Sequence, residues 1–103
     1  MMKLGYTKAA LVLACSVGFV NAAEYGTREY CIDLSMMGKN AYVAKINGNS
    51  LTKVKEAVAN ILQNDLKKRD AAIGVITAIY GDNSISSSNK AYAIVYDACT
   101  RNL

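Results

Sequence analysis

Two cysteines near opposite ends of one short stretch limit this chain more than any other feature. Cys31 and Cys99 are 68 positions apart, and almost everything that can fold lies between them. If the two pair, the first and last elements of the fold must meet. A third cysteine, Cys15, makes the count odd, so the pairing depends on which residues belong to the folded part.

The first residues read as an export leader. Residues 1–8, MMKLGYTK, carry two cations and no acid. The uncharged stretch Ala9–Val20 follows, then Asn21-Ala22-Ala23, and the first acidic residue is Glu24. A basic start, a short apolar run and small residues at its end are the parts of a secretory signal peptide. Cleavage after Ala22 sets Val20 and Ala22 at the two positions that fit a signal peptidase. The run is shorter than the roughly 20 residues of a standard membrane-crossing helix. Two alternatives stay open. Val12-Leu13-Ala14-Cys15 has the outline of a lipoprotein box with Cys15 lipidated, and an uncleaved leader would act as an anchor, the chain's one contact with a membrane. With residues 1–22 as signal peptide and 23–103 as one domain, Cys15 leaves and Cys31 and Cys99 remain as one pair. In an exported protein such a pair is most simply a disulfide.

Composition supports a narrow set of functions. The full chain has 103 residues, a formal charge of +4 and no His, Pro or Trp. Without His there is no Ser-His-Asp or Cys-His pair, no His-ligated zinc and no imidazole pH switch. Loss of Lys3 and Lys8 with the leader lowers the net charge to +2, which gives no basis for a nucleic-acid partner. No phosphate-binding, dinucleotide, calcium or zinc motif is present, so no cofactor and no metal is expected. Ser35 and Lys39, four apart on one helix, read as two exposed polar residues, because nothing beside them supplies a desolvated lysine or an oxyanion hole. The expectation is a protein that is not an enzyme.

Four segments carry helical periodicity. The first spans about Thr27 to Ile46, with Tyr30, Cys31, Leu34, Met37, Ala41 and Ala44 on one face, Thr27 as N-cap and Gly48 as a left-handed stop. Gly38 beside that stripe implies a close helix approach. The second starts after Asn49-Ser50 and runs to about Gln63, with Leu51, Val54, Val58, Ile61 and Leu62 inward. Asn64-Asp65 offers a break and a new cap, with a helix continuous through it as the alternative. The third, Leu66 to Tyr80, turns Leu66, Ile73, Ile76, Ile79 and Tyr80 inward. Its Ala72–Ile76 stretch is apolar nearly all round, so it is expected to be the most buried element. One of Ser86, Ser87 or Ser88 caps the fourth, which ends near Thr100, with Ala91, Ile94 or Val95, Ala98 and Cys99 inward. With an even number of alternating helices, or an oblique short helix doing the same job, the start of the first meets the end of the last and the cysteines can join. The spacing therefore predicts an all-α, small four-helix up-down bundle stapled by one disulfide. Closing so long a loop is worth roughly 4 kcal/mol in the chain-entropy model.

Candidate contact residues are few. Lys67, Lys68 and Arg69 could form part of a basic patch, though such a run is usually a solvated helix start. Tyr92 and Tyr96, four apart on the last helix, are candidates for a contact surface, since half-buried tyrosine suits both core edges and interfaces.

The motifs Cys31-Ile32-Asp33-Leu34-Ser35-Met36-Met37-Gly38, Gly48-Asn49-Ser50-Leu51, Ala78-Ile79-Tyr80 and Tyr96-Asp97-Ala98-Cys99 together resemble a loose group of small secreted, single-disulfide helical proteins from Gram-negative bacteria and their phages. Members of that group generally have no assigned activity, so the resemblance implies fold and compartment and supplies no catalytic residues. The acid-stress periplasmic chaperones of enteric bacteria are also small, helical and singly disulfide-bonded, with cysteines closer together than here. The expectation is an exported, periplasmic or secreted protein that binds an envelope or periplasmic protein. A phage-type envelope modulator, excluding superinfection or inhibiting lysis, is the first reading, and a periplasmic chaperone or stress protein the alternative.

Overall fold

A computed structural model describes residues 26–101 and residue 103. The expected leader, with Cys15, lies outside the described residues, as does Tyr25. Four α-helices follow one another: α1 Arg28–Ile46, α2 Leu51–Ile61, α3 Leu66–Gly81 and α4 Ser88–Thr100. Each begins where a short polar side chain can take a free backbone N–H. The side chains of Thr27, Ser50, Asp65 and Ser87 accept from the amides of Tyr30, Lys53, Lys68 and Lys90. Gly48 follows α1 with φ +88°, a left-handed conformation that suits a residue without Cβ. The break at Asn64-Asp65 is real, and α2 stops at Ile61, two residues before the expected end.

The architecture is all-α, with four helices in a compact globule and a Cys31–Cys99 disulfide joining α1 to α4. The two Cα atoms are 5.5 Å apart. Pairwise contacts set the helix directions. Cys31 meets Cys99, while Gly38 further along α1 lies against Val95 and Ala91 earlier in α4, so these two helices run antiparallel. Gly38 also approaches Val75, and Lys45 reaches the carbonyls of Ile79 and Asp82, so α1 and α3 run parallel. The Tyr80 hydroxyl donates to the Asn49 carbonyl at 2.8 Å, joining the end of α3 to the start of α2.

The packing order is α4, α1, α3, α2. Helix α1 packs most extensively on α4 and next on α3, and α2 leans on α3 with little contact to α1. Helices α3 and α4 barely touch. The core is continuous through this row, with Met37, Val58 and Ile76 among its most enclosed side chains.

Several expected burial assignments change. The element with most buried positions is α1, not α3: it buries Tyr30, Cys31, Leu34, Ser35, Met37, Gly38 and Ala41. It packs more extensively on its two neighbours, α4 and α3, than α3 does on α1 and α2, and α3 also leaves the face toward α4 open. Ser35 is fully buried instead of exposed, and its hydroxyl donates to the Cys31 carbonyl at 2.7 Å. Ile61 and Leu66 flank the α2–α3 turn and remain substantially exposed, at 39% and 56%. At the α4 alternative, Val95 is buried and Ile94 points out, and Ala98 is exposed too. Ala72 and Lys68 occupy inward positions of α3 that the apolar pattern assigned elsewhere. The close approach at Gly38 is present: a Cβ there would sit 2.7 Å from Val95 Cγ2.

Candidate functional site

The gap between α3 and α4 forms a groove of about 530 Å³. One wall is α3, where Ala71, Gly74, Val75 and Ala78 recur at three- and four-residue spacing. The other wall is α4, with Ile94, Val95 and Ala98. The floor is α1, through Tyr30 and Leu34. The wall chemistry explains why the gap stays open. Small side chains on α3 do not reach across, and Ile94 and Ala98 face solvent across from them.

The two ends of the groove differ. At one end lie Gly26, Cys99 and Leu103, beside the disulfide. At the other lie Ile85, buried from the α3–α4 connection, and Asp82. Asp82 is the charged side chain among the lining residues. Hydrogen bonds from the Ser84 hydroxyl and the Ser84 backbone amide, at 2.6 Å and 2.9 Å, hold its carboxyl below the usual carboxylate range. Lys45 fixes that corner. Its ammonium donates to the carbonyls of Ile79 and Asp82, and to Asn83 Oδ1, at 3.3 to 3.5 Å. A cation on the last carbonyls of α3 complements the negative end of that helix.

The residues singled out in the sequence fall in different places. Tyr92 and Tyr96 stack on α4 with ring centroids 6.1 Å apart and planes 13° from parallel. The Tyr96 hydroxyl accepts from Arg28 Nη1 at 3.0 Å, which ties that pair to the start of α1. Neither ring lines the groove. Lys67, Lys68 and Arg69 are not brought together: Lys67 is exposed, Lys68 is buried, and Arg69 pairs with Asp70 at 3.1 Å. Ser35 spends its hydroxyl proton on the Cys31 carbonyl, so it forms no pair with Lys39. Cys31 and Cys99 are joined to each other.

Periodicity missed the groove. The small-residue stripe of α3 was visible in the sequence, but an apolar face next to a second apolar face reads as a helix buried all round. Among the described residues no group of three or more His, Cys, Asp or Glu could hold a metal ion. Within them, no helix is long and apolar enough to cross a membrane. Chemically, the groove can bind apolar side chains by burying them, and beyond Asp82 it offers little to a reacting group. No protein family, curated protein or solved structure matches this chain.

Proposed function

We propose that the protein is exported, with residues 1–22 as a cleaved signal peptide, and acts without catalysis by binding another protein of the bacterial envelope. The observation that carries this reading is the α3–α4 groove, an open apolar surface on a domain whose α1–α4 seam is covalently locked. Open apolar grooves of this kind are where helices and peptides dock. A long-range disulfide also suits an oxidising compartment. A phage-type modulator, one that excludes superinfection or delays lysis, is the favoured role because it needs a binding surface and no chemistry.

The test is expression of the full chain in a Gram-negative host, scored for phage adsorption and for lysis time. Ala78→Glu sets a charge in the groove wall at an exposed position, so the fold survives and docking does not. The expected result is a shifted lysis time or reduced adsorption with the natural chain, and neither with the variant. An unchanged infection cycle, together with suppression of client aggregation at low pH, would move the assignment to a periplasmic chaperone.

A further inference from the structure

A second apolar surface lies on the side of α1 turned away from the groove. The exposed large apolar residues of this helix are Ile32, Met36, Val43 and Ile46, at 38%, 37%, 40% and 62%. With Lys39 among them they recur at spacings of four, three, four and three. At about 100° per residue, these five positions fall within an arc of about 80°. Ile32 and Met36 each stand two residues from Leu34 in the groove floor, so about 200° separates them from it. Buried Ser35 and half-buried Tyr42 border the stripe on one edge, and Glu29, Asp33 and Asn40 on the other. None of the described helices covers it.

We infer that this stripe docks an amphipathic helix of another protein, one that carries a carboxylate within its own apolar stripe, opposite Lys39. Alternating spacings of four and three make the narrow seam by which one helix packs along another. Helix α1 already meets its own core through the opposite positions, such as Leu34 and Ala41, so the seam is surplus to the fold. Lys39 decides what can cover it. Its side chain is half-buried in the middle of the stripe and has no ion pair among the described residues. A wholly apolar helix laid over it would strand the ammonium away from water, whereas a carboxylate in the same layer pairs with it. A single charged seam position of this kind sets register and selects the partner. A second copy fits worse. Two copies laid antiparallel so that Ile32 meets Ile46 and Met36 meets Val43 set Lys39 against Lys39, and parallel copies in register do the same. A lipid surface also fits worse, because helices lying on membranes keep their cations on the polar face and not at the centre of the apolar one.

The probes are two labelled synthetic helices about three heptads long, with Leu at the seam positions and either Glu or Lys at the central one. Their binding to the protein purified from its Gram-negative expression host is followed by fluorescence anisotropy. The Glu peptide is expected to bind about tenfold tighter than the Lys peptide, with the difference shrinking as salt is raised. Lys39→Glu should reverse the order. Met36→Asp, at an exposed position, should weaken both peptides about tenfold while the circular dichroism stays helical. Equal affinity for the two peptides, no binding of either, or a preference that Lys39→Glu leaves in place would each overturn the proposal. Self-association of the natural chain that Met36→Asp abolishes would assign the stripe to a second copy instead. Binding to phosphatidylglycerol vesicles lost in the same variant would assign it to a lipid surface. This stripe does not rest on the role proposed for the groove. Ala78→Glu, on the other side of α1, should bind both peptides as the natural chain does, whatever it does to infection. Loss of peptide binding there would move the peptide into the groove and overturn the inference.

Discussion

Helix α4 meets two others in opposite ways. Against α1 it is locked: the Cys31–Cys99 bond holds one end, the Arg28–Tyr96 hydrogen bond lies beside it, and Gly38 lets Val95 press onto the α1 backbone. Against α3 it stands off, leaving a groove walled by Ala71, Gly74 and Ala78 on one side and Ile94 and Ala98 on the other. The glycines on the two walls do different work. Gly38 is a glycine because a side chain would collide, while a Cβ at Gly74 would meet nothing within 4 Å. Small residues in a helix therefore have two meanings here, contact made and contact withheld.

The largest effect should come from the locked seam. Cys31→Ser with Cys99→Ser removes the long-range link and should lower unfolding free energy by about 4 kcal/mol, measured by urea denaturation. An unchanged midpoint would mean that α1 and α4 hold each other without the bond. Ile76→Ala, in the core shared by α3 and its neighbours, should cost about 3 kcal/mol by the same measurement. The glycines give the sharpest contrast. Gly38→Ala should destabilise by about 1–3 kcal/mol, because Val95 Cγ2 would be 2.7 Å from the new methyl and must move. Gly74→Ala should stabilise by about 0.5–1 kcal/mol, the helix-propensity gain with no collision against it. Equal signs for the two would break the distinction between seam and groove.

The smallest effect belongs to the Asp82 corner. Its folded carboxyl titrates below the ordinary value of 3.8, because the Ser84 hydroxyl and amide donate to the charged form. The unfolded state therefore takes up a proton first as pH falls, and the stabilisation present above 3.8 is lost on descending through the lower folded value. Asp82→Asn should flatten the stability profile in that acid range, with a slightly lower stability than the natural chain at pH 7 and no difference below the folded value. Tyr80 makes the corresponding alkaline change. Burial raises its phenol above 10.0, so the stabilisation it gives is complete below that value and declines as pH climbs through the folded one.

Much of this was legible from residue types alone. Thr27, Asp65 and the serines before α2 and α4 mark helix starts because each can accept a free amide, and Gly48 marks a stop. A Cys31–Cys99 pair favoured an even number of alternating helices, or an oblique short helix doing the same job, and the bond does join α1 to α4. What periodicity could not supply was the partner of each face. Ile61 and Leu66 carry the right spacing for burial, yet they sit at a corner where the chain turns and no helix covers them. Lys68 carries the wrong residue type for burial, yet it lies on the inward face of α3 beside Ala72. The groove was hidden for the same reason. Ala71, Gly74 and Ala78 register as apolar or small whether or not a neighbour stands against them, and only the packing order shows that none of the described helices does.

The bond between Cys31 and Cys99 also changes what a cut would do. Nearly the whole described chain is a closed ring, and the exposed stretch around Asn83, Ser84 and Ser86 is one arc of it. A protease that opens this arc turns the ring into two arms that share a covalent root. The pieces stay at the same address and can anneal again, so nicking registers as two bands only after reduction.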